Sequence, residues 1–158
     1  SETLSAMNML ETFRSGKYKF FERYNLPTWE ETVEAYRQSL LADFLVTGTN
    51  AVTRKGELVN VDSSGNRVAG MIFGPKRVIV AAGANKVVED LDEALKRLKQ
   101  IAPMNAKRVG HKTPCVETGK CMECELQACM CNSIGIINHG RKFPGRISVI
   151  MIAEEAGF

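Results

Sequence analysis

The chain has 158 residues, of which 44% are hydrophobic and 25% are charged, and its formal net charge is +3. These values are typical of a globular protein, so we expect a single domain over residues 1–158. No apolar run approaches the roughly 18 residues that a membrane span requires, and basic residues alternate with acidic ones, so neither membrane insertion nor nucleic-acid binding is indicated. The start, SETLSAMNML, has no basic region before an apolar one, and we therefore expect a cytoplasmic protein.

Helix patterns come first along the chain. Ser1 is typical of a helix N-cap, and apolar residues recur every third position after it, which predicts a helix from Glu2 to Arg14. In LPTWEETVEAYRQSLLA, Thr28 and Glu31 have the spacing of a capping box, which predicts the start of a second helix. A third pattern, DLDEALKRLKQIA, begins with another such box. Two of its charge pairs are spaced by four residues and indicate a solvated face: Asp92 with Lys96, and Glu93 with Arg97.

Strand patterns alternate with these helices. The segments DFLVTG, GELVNV and RVIVAAG are short, apolar and rich in β-branched residues, and SIGIIN and GRISVIMIA resemble them near the end of the chain. This alternation predicts an α/β domain with a mostly parallel sheet flanked by helices. In such sheets, ligands bind at the carboxyl ends of the strands, beside the helix N-termini.

Two polar loops follow predicted strands. In TGTNAVT, Gly48 permits an unusual turn, and Thr49 and Asn50 present hydrogen-bonding side chains. In NVDSSGNRV, polar side chains surround a glycine, and Arg67 is suited to binding a carboxylate or a phosphate. We therefore expect a small anionic metabolite, or part of a nucleotide-like cofactor, to bind here. The alternative is that both loops are ordinary turns. If Ser1 caps a helix, the N–H groups of that first turn would add an anion site.

All five cysteines lie within residues Thr113–Asn132, which we name the cysteine segment. Their spacing is Cys115-x5-Cys121-x2-Cys124-x4-Cys129-x1-Cys131. Two residues between ligands allow two sulfurs to reach one ion from a tight turn, and four thiolates suit either zinc or an iron–sulfur cluster. Two alternatives stay open. The thiols could be redox-active or form a disulfide, because Cys-x-x-Cys is also a redox motif, or they could share no role.

The run FLVTGTNAVTRKGELVNVDSSGNRVAGMIFGPKRVIVAAGANKVVEDLDEAL resembles the LUD domain of the lactate-utilisation protein C type. The likeness continues through APMNAKR, TPC, TGKC, GRISVI and EEAGF. It implies the CoA transferase-like fold, which ribose-5-phosphate isomerase and formyltetrahydrofolate cyclo-ligase share. Family members carry an additional N-terminal helix and strand that end in a Gly-Gly-Ser turn. We therefore expect this chain to lack that helix and strand, and Ser1 to correspond to the serine of the turn.

The resemblance also implies site residues. The implied ligand-binding positions are Ser1, Gly48, Thr49, Asn50, Asn66 and Arg67. The CoA transferases use a glutamate nucleophile, but Asn50 stands where this turn would offer an acid, and an amide is neither a base nor a carboxylate nucleophile. Asp62 is then the best catalytic carboxylate, and it would act as a base or orient Arg67. Related sequences have a Cys-x5-Cys-x2-Cys-x6-Cys pattern. That pattern selects four metal ligands, Cys115, Cys121, Cys124 and Cys131, and leaves Cys129 as an extra thiol.

Members of this type act in the oxidation of lactate to pyruvate beside iron–sulfur oxidoreductase subunits, so the resemblance implies such partners. The metal centre would then serve electron transfer or docking, and the sequence is compatible with a homodimer. Two other functions remain as alternatives. One is a stand-alone enzyme similar to the CoA transferases or the cyclo-ligases, with a purely structural cysteine site. The other is a non-catalytic assembly module.

Overall fold

A computed structural model describes residues 2–158. The chain divides into two compact units. The first unit contains the described residues up to Gly48, together with Ala69–Ala84 and Gly140–Gly157. The second unit contains Thr49–Val68, Asn85–His139 and Phe158. Ser1, which the resemblance implies as a ligand-binding residue, lies outside the described residues.

The first unit contains a parallel sheet. Its strands are β1 (Phe44–Gly48), β4 (Arg77–Gly83) and β7 (Ile147–Ile152), in the order β1-β4-β7. Strand β4 is central, with Val78 opposite Leu45 on one side and Ile147 on the other. Val78 and Val80 are fully buried. This sheet has the apolar, β-branched strands that parallel pairing favours, and it confirms the predicted α/β class.

Helices accompany that sheet in the first unit. They are α1 (Glu2–Ala6), α2 (Met9–Arg14) and α3 (Trp29–Ser39). The predicted capping box at the start of α3 is confirmed, since the Thr28 side chain accepts from the Glu31 N–H and the Glu31 carboxylate accepts from the Thr28 N–H. The predicted helix from Glu2 to Arg14 is interrupted. Asn8 has a φ of 53°, which is left-handed backbone that cannot continue a right-handed helix.

Helix α4 (Asn66–Phe73) begins in the second unit and ends in the first. In the first unit, the guanidinium of Arg146 donates to the carbonyl oxygens of Gly70 at 2.8 Å, Met71 at 2.7 Å and Pro75 at 3.0 Å. The last carbonyls of a helix lack intrahelical partners. Arg146 supplies those partners, and it therefore fixes the C-terminal end of α4.

The second unit contains a four-stranded sheet that the sequence did not predict. Its strands are β2 (Ala51–Thr53), β3 (Leu58–Asp62), β5 (Val87–Val88) and β6 (Ser133–Ile137), in the order β5-β2-β3-β6. Strand β3 is antiparallel to both β2 and β6, whereas β2 and β5 are parallel. Strand β2 lies inside the predicted polar loop TGTNAVT, so that loop is shorter than expected.

Helix α5 (Leu91–Arg108) packs on this sheet. The core of the second unit joins two sheet residues to the apolar face of the helix: Ala51, Val59, Ala94, Leu98 and Ile101. Asp90 caps α5 as predicted, because its carboxylate accepts from the Glu93 N–H at 2.9 Å. The helix continues beyond the predicted end and contains Pro103. Helix α6 (Pro114–Thr118) follows. None of the helices within residues 2–158 combines the length and apolarity needed to cross a membrane.

Candidate functional site

The predicted anion site centres on an ion pair between Arg67 and Asp62. Asp62 ends β3, and Arg67 lies in the first turn of α4, with Gly65 between them at a φ of 72°. The Asp62 Oδ1 atom accepts from Arg67 Nε at 2.8 Å and from Arg67 Nη2 at 2.6 Å. Its Oδ2 atom accepts from the Val68 N–H at 2.8 Å. Both carboxylate oxygens are therefore held by donors of the protein itself.

Asn50 connects the elements around this ion pair. Its Oδ1 atom accepts from Arg67 Nη2 at 2.8 Å and from the Val61 N–H at 3.0 Å. Its own N–H donates to Oδ1 of Asn60 at 3.2 Å, and its main-chain oxygen accepts from Arg97 Nε at 2.9 Å. Asn50 and Asn60 are both buried. One residue thus contacts two guanidinium groups, one through its side chain and one through its main chain.

The other predicted ligand residues lie in different settings. Thr49 is 1% exposed, and its hydroxyl is within hydrogen-bond distance of the carbonyl oxygens of Ala51 and Val59. Asn66 begins α4, and its Oδ1 atom accepts from the Ser64 hydroxyl at 3.0 Å. Gly48 ends β1 in the first unit. The structure therefore brings Asn50, Asp62 and Arg67 together, while Thr49 and Asn66 bond to the chain nearby.

Arg97 is a site residue that the sequence analysis placed wrongly. We expected it to pair with Glu93 on a solvated face, but it donates to Asn50 instead. The Glu93 carboxylate accepts from the Glu89 N–H at 2.8 Å. A signal was present in the sequence. Arg97 follows Ala94 by three residues and precedes Ile101 by four, which places it on the face of α5 that packs on the sheet. The predicted pair of Asp92 and Lys96 is likewise not among the ion pairs within residues 2–158.

Lys86 is a second residue that the sequence analysis missed. It lies directly before β5 and is 3% exposed. A buried ammonium is rare, because it must find partners that replace its water. The sequence carries no signal for this burial, since the segment GANKVV resembles an ordinary polar turn before a strand.

The cysteine segment brings its thiols close together. The thiol of Cys129 lies close enough to the thiols of Cys124 and Cys131 to act on both electrostatically. The main-chain N–H of Cys131 also points to the Cys129 sulfur at 3.5 Å. The sulfurs of Cys115 and Cys121 lie near enough to act electrostatically on Cys131. Cys129, which the resemblance leaves out, therefore lies between two of the expected ligands.

Three contacts hold the cysteine segment on the rest of the second unit. His111 lies just before the segment, and its Nδ1 atom is 3.1 Å from the main-chain oxygen of Ala128. Lys99 of α5 forms an ion pair with Glu123. At the end of the segment, the Asn132 N–H donates to the main-chain oxygen of Asp62 at 3.1 Å. The segment is therefore attached both to α5 and to the end of β3.

The surroundings of the thiols raise two pKa values. The pKa of Cys124 lies above its usual value, chiefly because its thiol is hydrogen-bonded to Cys129. The pKa of Cys131 is raised to about 11, first because the protein surrounds its sulfur and then because Cys129 and Cys121 would repel a thiolate. A cation bound here would favour the thiolates that these surroundings oppose.

The donor set fits a thiolate-bound metal, although its geometry is not that of a closed site. Soft thiolates are the ligands that zinc and iron–sulfur clusters prefer. Within residues 2–158, however, no group of three or more ligand side chains is already arranged around one ion. Four of the sulfurs would therefore have to rotate or move before they could share an ion.

Comparison with known proteins gives one family. The family model described as LUD domain matches residues 1–152. No curated protein matches the chain. A crystal structure at 1.70 Å of a DUF162 family protein from Deinococcus radiodurans is similar over 97% of this chain and 85% of that chain, with 14% sequence identity and a TM-score of 0.44.

Proposed function

Because the chain belongs to the LUD domain family, we propose that it acts in the oxidation of lactate to pyruvate with iron–sulfur partner subunits. In this proposal the cysteine segment holds a metal centre, and the residues around Asn50 bind a small anionic metabolite. The observation that carries the proposal is the presence of all five thiols in one short segment, in which Cys129, Cys121 and Cys115 each act electrostatically on Cys131.

The proposed ligands of the metal centre are four cysteines: Cys115, Cys121, Cys124 and Cys131. Their spacing includes the tight Cys-x-x-Cys pair, and their sulfurs act on one another in the structure. An iron–sulfur cluster held there would supply one-electron transfer, whereas zinc would supply structural support alone.

Neighbouring side chains support a site that carries negative charge. The Lys99 ammonium lies close enough to Cys121 for the thiolate to raise the Lys99 pKa, after the larger effect of Glu123. The Thr113 hydroxyl is 3.1 Å from the Cys115 sulfur. A positive charge near a sulfur favours the charged form that binds a metal. The contact of Lys99 with Cys121 therefore supports metal binding at this end of the segment.

In the anion site, we assign to Asp62 the role of orienting Arg67. A general base needs a lone pair aimed at the ligand. The Asp62 carboxylate instead accepts three hydrogen bonds from the protein and is 8% exposed. Its charge balances that of Arg67, so the pair fixes the loop between β3 and α4. The predicted catalytic role of Asp62 thereby becomes a positioning role in this proposal.

The experiment is purification of the full chain without oxygen, followed by absorbance spectroscopy and analysis for iron, sulfide and zinc. Brown protein with iron and sulfide would support the proposal. One zinc per chain would make the segment structural, and would contradict a role in electron transfer. Protein with neither metal, before or after anaerobic reconstitution, would contradict a metal centre altogether.

A matched pair of variants tests the choice of ligands. Cys121→Ser removes a proposed ligand, whereas Cys129→Ser removes the extra thiol in the same segment. We expect Cys121→Ser to lose most of the metal and Cys129→Ser to keep it. Equal loss in both variants would show that Cys129 is a ligand, and would contradict the set implied by the resemblance. Retention in both would overturn the cysteine site.

A further inference from the structure

Arg97 is the cation near Asn50 whose charge the described protein leaves unbalanced. Its Nε atom donates to the Asn50 main-chain oxygen at 2.9 Å, and this is its single side-chain hydrogen bond to residues 2–158. No carboxylate of those residues forms an ion pair with it, because Glu93 is turned toward the Glu89 N–H. Its Nη1 and Nη2 atoms therefore keep their N–H donors available.

The burial of Arg97 makes this arrangement unusual. The side chain lies on the face of α5 that carries Ala94 and Ile101, and it is half-buried. Desolvation lowers the Arg97 pKa from its ordinary value. A half-buried charge without a partner is unfavourable, and a bound anion would offset the lost hydration. The structure holds the guanidinium in place through Nε, so little side-chain freedom remains to be lost on binding.

Arg67 provides the contrast. It bonds to the side chain of Asn50 and is 19% exposed, but Asp62 balances its charge. Its Nε and Nη2 atoms already donate to Asp62, and Nη2 also points to Asn50 and to the Val61 carbonyl oxygen. Two guanidinium groups thus contact Asn50, and a single carboxylate, that of Asp62, is available to balance their two charges. The excess positive charge belongs to Arg97.

We propose that Arg97 binds the anionic group of the ligand, and that Arg67 with Asp62 only positions Asn50. The ligand class is a small molecule with a carboxylate or a phosphate, because two parallel N–H groups of a guanidinium match two oxygens of either group. This inference rests on the proposed function, since it names the residue and the ligand chemistry of the proposed anion site.

The test is isothermal titration calorimetry of the full chain with three probes: lactate, pyruvate and inorganic phosphate. Lactamide, which has no carboxylate, is the uncharged control. We expect Arg97→Met to weaken binding about 10-fold or more, because charge-assisted hydrogen bonds are lost. Arg97→Lys should also weaken it, since an ammonium keeps the charge and loses the two-pronged geometry. Lys96→Met removes the same charge from the exposed face of α5 and should change nothing.

The outcomes separate this inference from the function on which it rests. Binding that survives Arg97→Met and is lost in Arg67→Met would overturn the role of Arg97 and leave an anion-binding function. No binding of any probe to the unaltered chain would overturn both. Loss of phosphate binding alone in Arg97→Met would support Arg97 and identify a phosphate ligand, whereas loss of lactate and pyruvate binding would identify a carboxylate ligand.

A second measurement does not depend on the folding of the variants. Phenylglyoxal modifies accessible arginines, and mass spectrometry locates each modified residue. The bound probe should protect Arg97 in the unaltered chain, while exposed Arg54 should react at an unchanged rate. Unchanged reaction of Arg97 at saturating probe would contradict the inference.

Discussion

Asp62→Ala should lower the free energy of unfolding by more than the loss of an exposed ion pair would. The substitution leaves the Arg67 guanidinium with neither of its two bonds to Asp62, in a place where the arginine side chain is only 19% exposed. It also leaves the Val68 N–H without its acceptor. The damage is therefore an uncompensated charge together with an unsatisfied donor in the first turn of α4.

The magnitude follows from the burial of the pair. Removing one partner of a buried ion pair costs about 3–5 kcal/mol, against a typical total stability of about 5–15 kcal/mol. For a chain of this size, such a loss corresponds to a fall of roughly 6–20 °C in melting temperature. The double variant Asp62→Leu with Arg67→Leu removes both charges, so it should recover a large part of the loss.

The assay is urea unfolding followed by circular dichroism, combined with hydrogen exchange at the Val68 amide, which should speed up in Asp62→Ala. Asp43→Ala is the matched control, because Asp43 forms an exposed ion pair with Lys76. We expect the control to unfold at an unchanged urea concentration. If Asp62→Ala lost less than about 1 kcal/mol, which is the upper range for exposed pairs, or if the double variant were worse than the single one, the reasoning would be refuted.

Two further predictions concern packing and pH. A Cβ atom on Gly135 would lie 2.5 Å from Cγ1 of Val68, so Gly135→Ala should cost about 1–3 kcal/mol. Adding Val68→Ala should remove the clash, so urea unfolding should show a double variant less damaged than the sum of the single ones, whereas additive losses would contradict the contact. The folded-state pKa of Cys131, about 11, exceeds its ordinary value of 9.0. The protonated Cys131 thiol should therefore contribute to the free energy of unfolding of the reduced, metal-free protein below pH 9. This contribution should be lost as the pH rises through 11. Anaerobic urea unfolding at pH 8 and pH 11 checks this, and an equal loss in Cys131→Ser would show that another group is responsible.

Local signals in the sequence predicted much of the fold. The capping box at Thr28 and the Asp90 cap mark helix starts because their hydrogen bonds lie within four residues, although Glu93 bonds to the Glu89 N–H and so does not complete the predicted box at Asp90. The strands of the parallel sheet are recognisable by their apolar, β-branched character. Strand β2 and the antiparallel pairing of β3 with β6 were missed. That pairing joins Asp62 to Ser133 across seventy-one residues, a separation that local patterns do not report.

The sequence predicted which residues form the candidate site, but it did not predict their hydrogen-bond partners. Asn50, Asp62 and Arg67 are close in space as expected, yet their hydrogen bonds are to one another. Polar composition alone does not distinguish a side chain that faces a ligand from one that satisfies its neighbours. Arg97 was misjudged because its spacing from Glu93 suits an exposed pair, and only the packing of α5 on the sheet shows which face it occupies.

The attachment of the cysteine segment has a thermodynamic consequence. Lys99, which pairs with Glu123 of the segment, is two residues from Arg97 on the same helix, and Asn132 at the end of the segment bonds to Asp62. The cysteine segment and Asn50 are thus both attached to α5 and to β3. If occupancy of the cysteines displaces either support, it alters anion affinity by some factor, and the anion must alter metal affinity by the same factor. Reciprocal cooperativity between metal binding and anion binding would then measure the coupling free energy between the two sites.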